Sequence, residues 1–343
     1  MEDKMMSAVL TEANRIEILT TDIPQPSANE VLIRVVCAGI CGSELHAYKG
    51  LHKKRVPPVI MGHELSGTVA AVGENVRRFA VGDRVTVVPM YGCGECEECL
   101  RGETSLCAQK SILGSQKWPG AYAEYCVAPE KLVYKLPDNV SFEAGALIEP
   151  LAVGLHAVRT AQICAGDKVA VLGAGAIGLC TAMMAAQAGA VPLICTDIQP
   201  FNLEKAMELG ATHVFDSRDE ELIEKVLEVT EGGCDCVFVS APVNALIDQA
   251  LKMVRRQGQV ICVAMFDGQA SVNVELNRAK ETIITGTSMY YEKDFQRIIN
   301  MLSHKRLDAE DLVSHKLPMH EADEAFKMYM DRVPGIVKIL LYA

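Results

Sequence analysis

Two groups of side chains in this 343-residue chain have the types and spacing of metal sites. The stretch YGCGECEECLRGETSLC, residues 91–107, places Cys93, Cys96, Cys99 and Cys107 on a loop otherwise made of glycine and charge. Zn²⁺ prefers four tetrahedral ligands, and four sulfurs at about 2.3 Å close its shell completely. Such an ion braces a lobe, here residues 91–108, and takes no part in chemistry. The second group is looser. Cys41 ends an alternating apolar run, EVLIRVVCAGI; His63 and Glu64 precede SGTVAAVG; Glu149 lies in ALIEPLAVGLHA, otherwise uncharged from Ala144 to His156. A carboxylate in apolar surroundings is costly unless it is paired or bound to metal. One sulfur, one imidazole and one or two carboxylates leave a zinc shell open to water or substrate.

A third constellation is GAGAIG. Gly173-x-Gly175-x-x-Gly178 follows an apolar strand, and Ala176 and Ile177 open the helix after it. Gly173 allows the tight turn, Gly175 lets the backbone approach a diphosphate, and Gly178 lets the helix pack on the strand. Asp197 follows Gly178 by nineteen residues, where the acid that binds an adenosine ribose is required. It would repel a 2′-phosphate, and the neighbouring IQPFN has no basic residue to receive one, so the expectation is NAD rather than NADP.

These groups need elements to hold them. Strands are expected at EVLIRVVCAGI and SGTVAAVG, then again at THVFD, CDCVFVS, GQVICVAM and ETIITGT, the later ones separated mostly by helical stretches. Alternating strands and helices predict a parallel, doubly wound α/β sheet of the Rossmann kind. Residues 169–196 carry no charge and are long enough to span a membrane. Gly173, Gly175, Gly178, Gly189 and Pro192 divide them into strand, turn, helix and strand, and a buried βαβ unit has the same hydropathy.

Composition excludes other classes. The formal charge is −11, and no long lysine–arginine run marks a nucleic-acid or anionic-membrane partner. The N-terminal MEDKMMSAVL lacks the apolar core of a signal peptide, and thirteen cysteines then point to a reducing, cytoplasmic compartment. Cys37, Cys195 and Cys262 sit in apolar runs and read as core.

The ordered set GHE, cysteine lobe, GAYAEY (residues 120–125), EP and GAGAIG resembles the zinc-containing medium-chain dehydrogenases over essentially the whole chain. Glu149, where other alcohol dehydrogenases place a cysteine ligand, makes it most similar to their polyol branch, the sorbitol and galactitol-1-phosphate dehydrogenases. The resemblance implies a GroES-like β-barrel catalytic domain at residues 1–152 and 289–343, interrupted by a Rossmann domain at 153–288. It implies two zinc ions per chain, one catalytic and one structural, with NAD as cofactor. Cys41 and His63 correspond to catalytic zinc ligands, and Glu64 and Glu149 to carboxylates that bind that zinc directly or through water. Ser43 matches the hydroxyl of the proton relay and His46 its terminal histidine. Two departures stand out: Glu44 where the branch usually has aspartate, and Trp118-Pro119 where a second glycine is common before Gly120.

An open zinc is a Lewis acid that lowers the pKa of a bound alcohol, as it does for water. Hydride can then pass to the nicotinamide, with the proton leaving through Ser43 and on to His46, whose ordinary pKa of about 6.5 suits exchange with solvent. The expected reaction is reversible oxidation of a secondary alcohol of a polyol, sugar alcohol or its phosphate. Threonine, a butanediol or a sugar acid are alternative substrates, and a non-catalytic NAD-binding zinc protein is the alternative of another class. The loop YKGLHKKRVPP, with Lys49, Lys53, Lys54 and Arg55, either receives a substrate phosphate or carboxylate or is a solvated surface. Trp118 either narrows the substrate mouth or packs the lobe, and Tyr290 is a further candidate contact. Family analogy implies a homodimer or homotetramer, with ETIITGT as an exposed edge strand to be covered.

Overall fold

The computed structural model describes residues 3–266 and 268–343. It divides into two compact units: the chain through Glu149 together with Tyr291–Ala343, and Pro150–Tyr290.

The first unit is built on the strand Glu30–Gly39, whose valine, leucine and isoleucine side chains are largely buried. It pairs antiparallel with Glu64–Val72, with Lys338–Tyr342 and with Tyr125–Pro129. Arg84–Val87 and Val133–Lys135 extend the sheet on one side and Val313–Pro318 on the other, giving seven strands. A three-stranded sheet of Arg15–Asp22, Lys4–Glu12 and Val59–Ile60 completes the β framework. In this register Gly39 lies opposite Glu64 on one side and Leu340 on the other. The chain leaving Gly39 toward Cys41 therefore passes between the strand that begins at Glu64 and the returning C-terminal strand. Gly39 is required there, because a Cβ would overlap the Glu64 carboxylate.

Helix Gly42–Tyr48 starts immediately after Cys41. Glu44 reaches back to accept a hydrogen bond from the Cys41 N–H at 3.1 Å, which satisfies a donor that a helix start leaves unpaired.

The second unit is a six-stranded parallel sheet. Its spatial order is His213–Asp216, Leu193–Asp197, Val169–Leu172, Cys234–Val239, Val254–Cys262, Ile283–Gly286. Numbered along this unit the order is 3-2-1-4-5-6, the dinucleotide-binding arrangement. Val169–Leu172 is buried throughout, as a strand covered on both faces must be. Helix Ala176–Ala188 follows, and Gly189 ends it in the left-handed conformation at φ +89°. Residues 169–196 are thus strand, helix and strand, and among the described residues no helix is long and apolar enough to cross a membrane.

Gly173 has φ +96°, and a Cβ on it would lie 2.7 Å from that of Ala241. A Cβ on Gly178 would overlap the carbonyl oxygen of Gly173, whereas one on Gly175 would meet no protein atom within 4 Å. Gly178→Ala should therefore cost about 1–3 kcal/mol in urea denaturation, the usual penalty of overpacking. Gly175→Ala should leave stability within about 0.5 kcal/mol and instead weaken NADH binding in a fluorescence titration. Equal stability losses in the two variants would contradict this division of roles.

Candidate active site

The folded first unit brings Cys41, His63 and Glu64 together, with a ligand atom from each lying within 4.8 Å of the others. His63 and Glu64 are buried and Cys41 is half-buried. Gly62, at φ +98°, turns the chain into His63, and a side chain on it would run into Tyr122.

Behind this cluster lies a carboxylate that is wholly buried. Glu44 Oε1 accepts from the Gly62 N–H at 2.7 Å and stands 2.8 Å from His63 Nδ1. Its Oε2 accepts from the Cys41 N–H and from the Tyr122 hydroxyl. A carboxylate on Nδ1 fixes the imidazole tautomer and leaves Nε2 as the metal-binding atom. Arg55 is buried beside the pair. Its Nε donates to the Gly114 carbonyl at 3.1 Å, its Nη1 donates to Ser43 Oγ at 2.8 Å, and its Nη2 lies 3.2 Å from His63 Nδ1. With Nδ1 already donating to Glu44, that last contact acts through charge. Burial alone would raise the Glu44 pKa, but the charges of His63 and Arg55 with the hydrogen bonds hold it at about 2.

Glu64 has its own counter-ion. Lys338, 3% exposed, places Nζ 2.8 and 2.9 Å from the two carboxylate oxygens and donates to the Ile40 carbonyl at 3.0 Å. Burial pushes the ammonium toward neutrality, yet the Glu64 charge more than reverses this and keeps it protonated. Sequence reasoning missed Lys338; the signal was a single charge within VKILLYA.

Ser43 and His46 share a face of helix Gly42–Tyr48, three residues apart. Ser43 Oγ lies 3.4 Å from Cys41 Sγ, and His46 meets His52 edge-on with ring centres 6.4 Å apart. Glu149 is buried in the first turn of helix Ile148–Thr160, and the set of Cys41, His63 and Glu64 does not include it.

The four lobe cysteines also converge, all four sulfurs lying within 4.8 Å of one another. Cys93 and Cys99 are 3.9 Å apart, close to the roughly 3.8 Å between two sulfurs of a tetrahedral zinc shell. The N–H groups of Cys93 and Cys96 point at Cys107 Sγ and Cys93 Sγ, both at 3.4 Å. The Cys93 N–H leads the causes that lower the Cys107 thiol pKa, favouring the thiolate that a metal needs. The donor chemistry and spacing fit zinc.

The basic loop does not behave as one cluster. Lys53 and Lys54 are exposed, while Arg55 is buried and turned inward to Ser43 and His63. Trp118 is buried against Tyr91, ring centres 5.3 Å apart, with its indole N–H donating to the Val127 carbonyl at 2.7 Å. Those contacts are those of a lobe-packing residue. Tyr290 is fully buried at the end of the second unit.

In that second unit Gly173, Gly175 and Gly178 form the turn into Ala176 and Ile177. Asp197 ends the neighbouring strand, with Oδ2 accepting from the Ala174 N–H and Oδ1 from the Gln199 N–H, each at 2.8 Å. The open space at Gly175 and the oriented Asp197 fit a dinucleotide.

Comparison with known proteins agrees with both units. The alcohol dehydrogenase GroES-like domain family matches residues 27–138, and the zinc-binding dehydrogenase family matches residues 176–304. The chain is 34% identical to the sorbitol dehydrogenase of Bacillus subtilis over 98% of this chain and 97% of that protein. It is 33% identical to the D-arabitol-phosphate dehydrogenase of Enterococcus avium over 96% and 95%. The crystal structure of 2R,3R-butanediol dehydrogenase from Bacillus subtilis superposes with a TM-score of 0.92, at 33% identity and 99% coverage of both chains.

Two measurements probe this site. Lys338→Met leaves Glu64 buried without its cation and should cost about 3–5 kcal/mol in urea denaturation; a loss below about 1 kcal/mol would show the pair to be dispensable. Cys99→Ser should reduce bound zinc from two ions to one per chain by metal analysis and lower the melting temperature. Retention of both ions would show that the lobe does not hold its metal through Cys99.

Proposed function

This chain belongs to the zinc-binding alcohol dehydrogenases, and from that premise we propose that it reversibly oxidises a secondary alcohol of a polyol, sugar alcohol or its phosphate to a ketone. The observation that carries the reading is the convergence of Cys41, His63 and Glu64 beside Ser43, a donor set with room for a further ligand. Cys41 and His63 would hold a catalytic zinc, with Glu64 and Glu149 binding it directly or through water, while Cys93, Cys96, Cys99 and Cys107 would hold a structural one. Zinc, when bound, supplies Lewis acidity that eases loss of the alcohol proton. Gly173–Gly178 would hold the diphosphate of NAD and Asp197 its ribose, and the cofactor when bound would supply the hydride acceptor.

The chain's own residues manage the proton. A serine oxygen has two lone pairs and one hydrogen. Arg55 occupies one lone pair of Ser43, leaving the other for the proton of the substrate hydroxyl. We assign to His46, three residues along the same helix, the exchange with water of the proton that Ser43 would give up through the cofactor ribose as it takes the substrate's. Glu44 holds His63 in the tautomer a metal would need, and Lys338 bonds both Glu64 oxygens and fixes that carboxylate in place.

The sorbitol and arabitol-phosphate dehydrogenases among its relatives support a polyol substrate; the butanediol dehydrogenase fold supports a diol as the second reading. We place the protein in the cytoplasm, a reducing compartment in which a chain with thirteen cysteines keeps its thiols. We assign it a homodimer or homotetramer formed through the edge strand Ile283–Gly286, where Ile283 is 57% exposed.

The test is NADH formation by zinc-replete protein over free polyols, their phosphates, diols, sugar acids and amino alcohols. Replacing a group that only supports a ligand typically costs about 10–100-fold. Cys41→Ser removes a ligand itself, so turnover should fall further, with one zinc lost and NADH affinity kept. Wild-type turnover in that variant would sink the assignment.

A further inference from the structure

A second concavity in the catalytic unit has chemistry that the Cys41–His63–Glu64 cluster does not use. It encloses about 590 Å³ between residues 52–55 and residues 108–117. Lys53, Lys54, Lys110 and Lys117 line it, accompanied by neutral side chains such as Gln109 and Ser111. Among the described residues no aspartate or glutamate lines it, although acids outnumber bases 44 to 33 in the whole chain.

The lysines are brought together by hydrogen bonds elsewhere in the walls. Nδ1 of His52 accepts from the N–H groups of Lys54 and Arg55, both at 3.1 Å, which pins the loop that carries them. Burial, then the charges of Arg55, His46 and Lys54, lower the His52 pKa to about 4, so it stays the neutral acceptor this turn requires. Gln116 donates to the Val56 carbonyl at 3.1 Å and Arg55 to the Gly114 carbonyl at 3.1 Å, tying one wall to the other. Lys110 is half-buried and donates to the Ser105 carbonyl at 2.6 Å, and the charge of Lys54 reaches it. The fold thus holds like charges around a preformed space. An anion in that space would relieve their repulsion.

We infer that this lysine-lined cavity is a phosphate-binding site, taking the phosphate monoester of a small polyhydroxylated molecule. A phosphate monoester carries close to two negative charges at neutral pH and three acceptor oxygens, which several ammonium groups can share. A monocarboxylate has neither the charge nor the acceptors to engage so many. The volume lies within the range of small-molecule sites, about 300–1,000 Å³. Arg55 lines the cavity, and its guanidinium meets Ser43 and His63, so one side chain joins this site to the catalytic cluster. The ester is either the substrate itself, which rests on the dehydrogenase reading, or a separate phosphorylated compound.

The experiment is calorimetric titration of the zinc-loaded protein with a phosphorylated pentitol, the same pentitol unphosphorylated, and inorganic phosphate. The ester should bind at least about tenfold tighter than the free pentitol, as expected of charge-assisted hydrogen bonds, and the advantage should shrink as salt is raised. Lys54→Gln/Lys117→Gln, both exposed positions, should abolish most of that advantage; Lys110→Gln is the independent second variant. Competition between ester and free pentitol identifies the phosphate as the substrate's own, while simultaneous binding identifies a separate compound, and either supports the site. Equal affinity for ester and pentitol, or an ester affinity untouched in both variants, overturns it. Binding is read without turnover, so failure of the dehydrogenase reading would appear separately, as a bound ester that forms no NADH.

Discussion

Glu44 is wholly buried, and its two oxygens satisfy the N–H groups of Cys41 and Gly62, the imidazole of His63 and the hydroxyl of Tyr122. A carboxylate taken out of water is tolerated only when it is fully paired, so these four donors cannot be rearranged independently. That single requirement ties the start of helix Gly42–Tyr48, the Gly62–His63 turn and the GAYAEY segment to one point. The Cys41 sulfur and the His63 ring, two of the three candidate metal ligands, are placed as a consequence. The methylene that distinguishes glutamate from the aspartate expected here is accommodated without loss, since the longer side chain still reaches His63.

The second requirement is the Glu64–Lys338 pair, which joins residues 274 positions apart. The C-terminal strand Lys338–Tyr342 lies beside Glu30–Gly39 and delivers Lys338 to the cluster of Cys41, His63 and Glu64, all from the first 64 residues. The catalytic unit is therefore closed only after the chain has passed through the whole parallel sheet. Arg55 completes the arrangement. It sets a positive charge beside the Glu44–His63 pair and donates to the Ser43 hydroxyl, so Ser43 and His63 share one electrostatic support.

Much of the site is legible in the sequence, because some signals are local. Gly173-x-Gly175-x-x-Gly178 between strand and helix is a backbone requirement written in consecutive residues, and Asp197 stands where the next strand must end. The cysteine lobe is legible for the same reason: four thiols within fifteen positions on a glycine-rich loop have few uses besides a metal. Cys41, His63 and Glu64 are legible only as a set, and their resemblance to a known family weighs more than any one of them. The inward turn of Arg55 is not legible in the sequence. In a run with Lys53 and Lys54 that residue looks like solvated charge, and nothing in the spacing says that one of three basic neighbours turns inward.

The sequence by itself determined the local chemistry: which cysteine, histidine and acidic side chains are candidates for zinc, where a strand–glycine turn–helix forms, and which strands are buried on both faces. Those properties arise from side-chain type, glycine placement and periodicity over a few residues. The tertiary structure alone decided the partners of the buried charges: Lys338 for Glu64, Tyr122 and Gly62 for Glu44, Ser43 and Gly114 for Arg55, and the facing of Lys54 and Lys110 across one cavity. Charge pairing is set by distance in space, and strand register and chain return bring together residues whose separation along the chain carries no trace of their meeting.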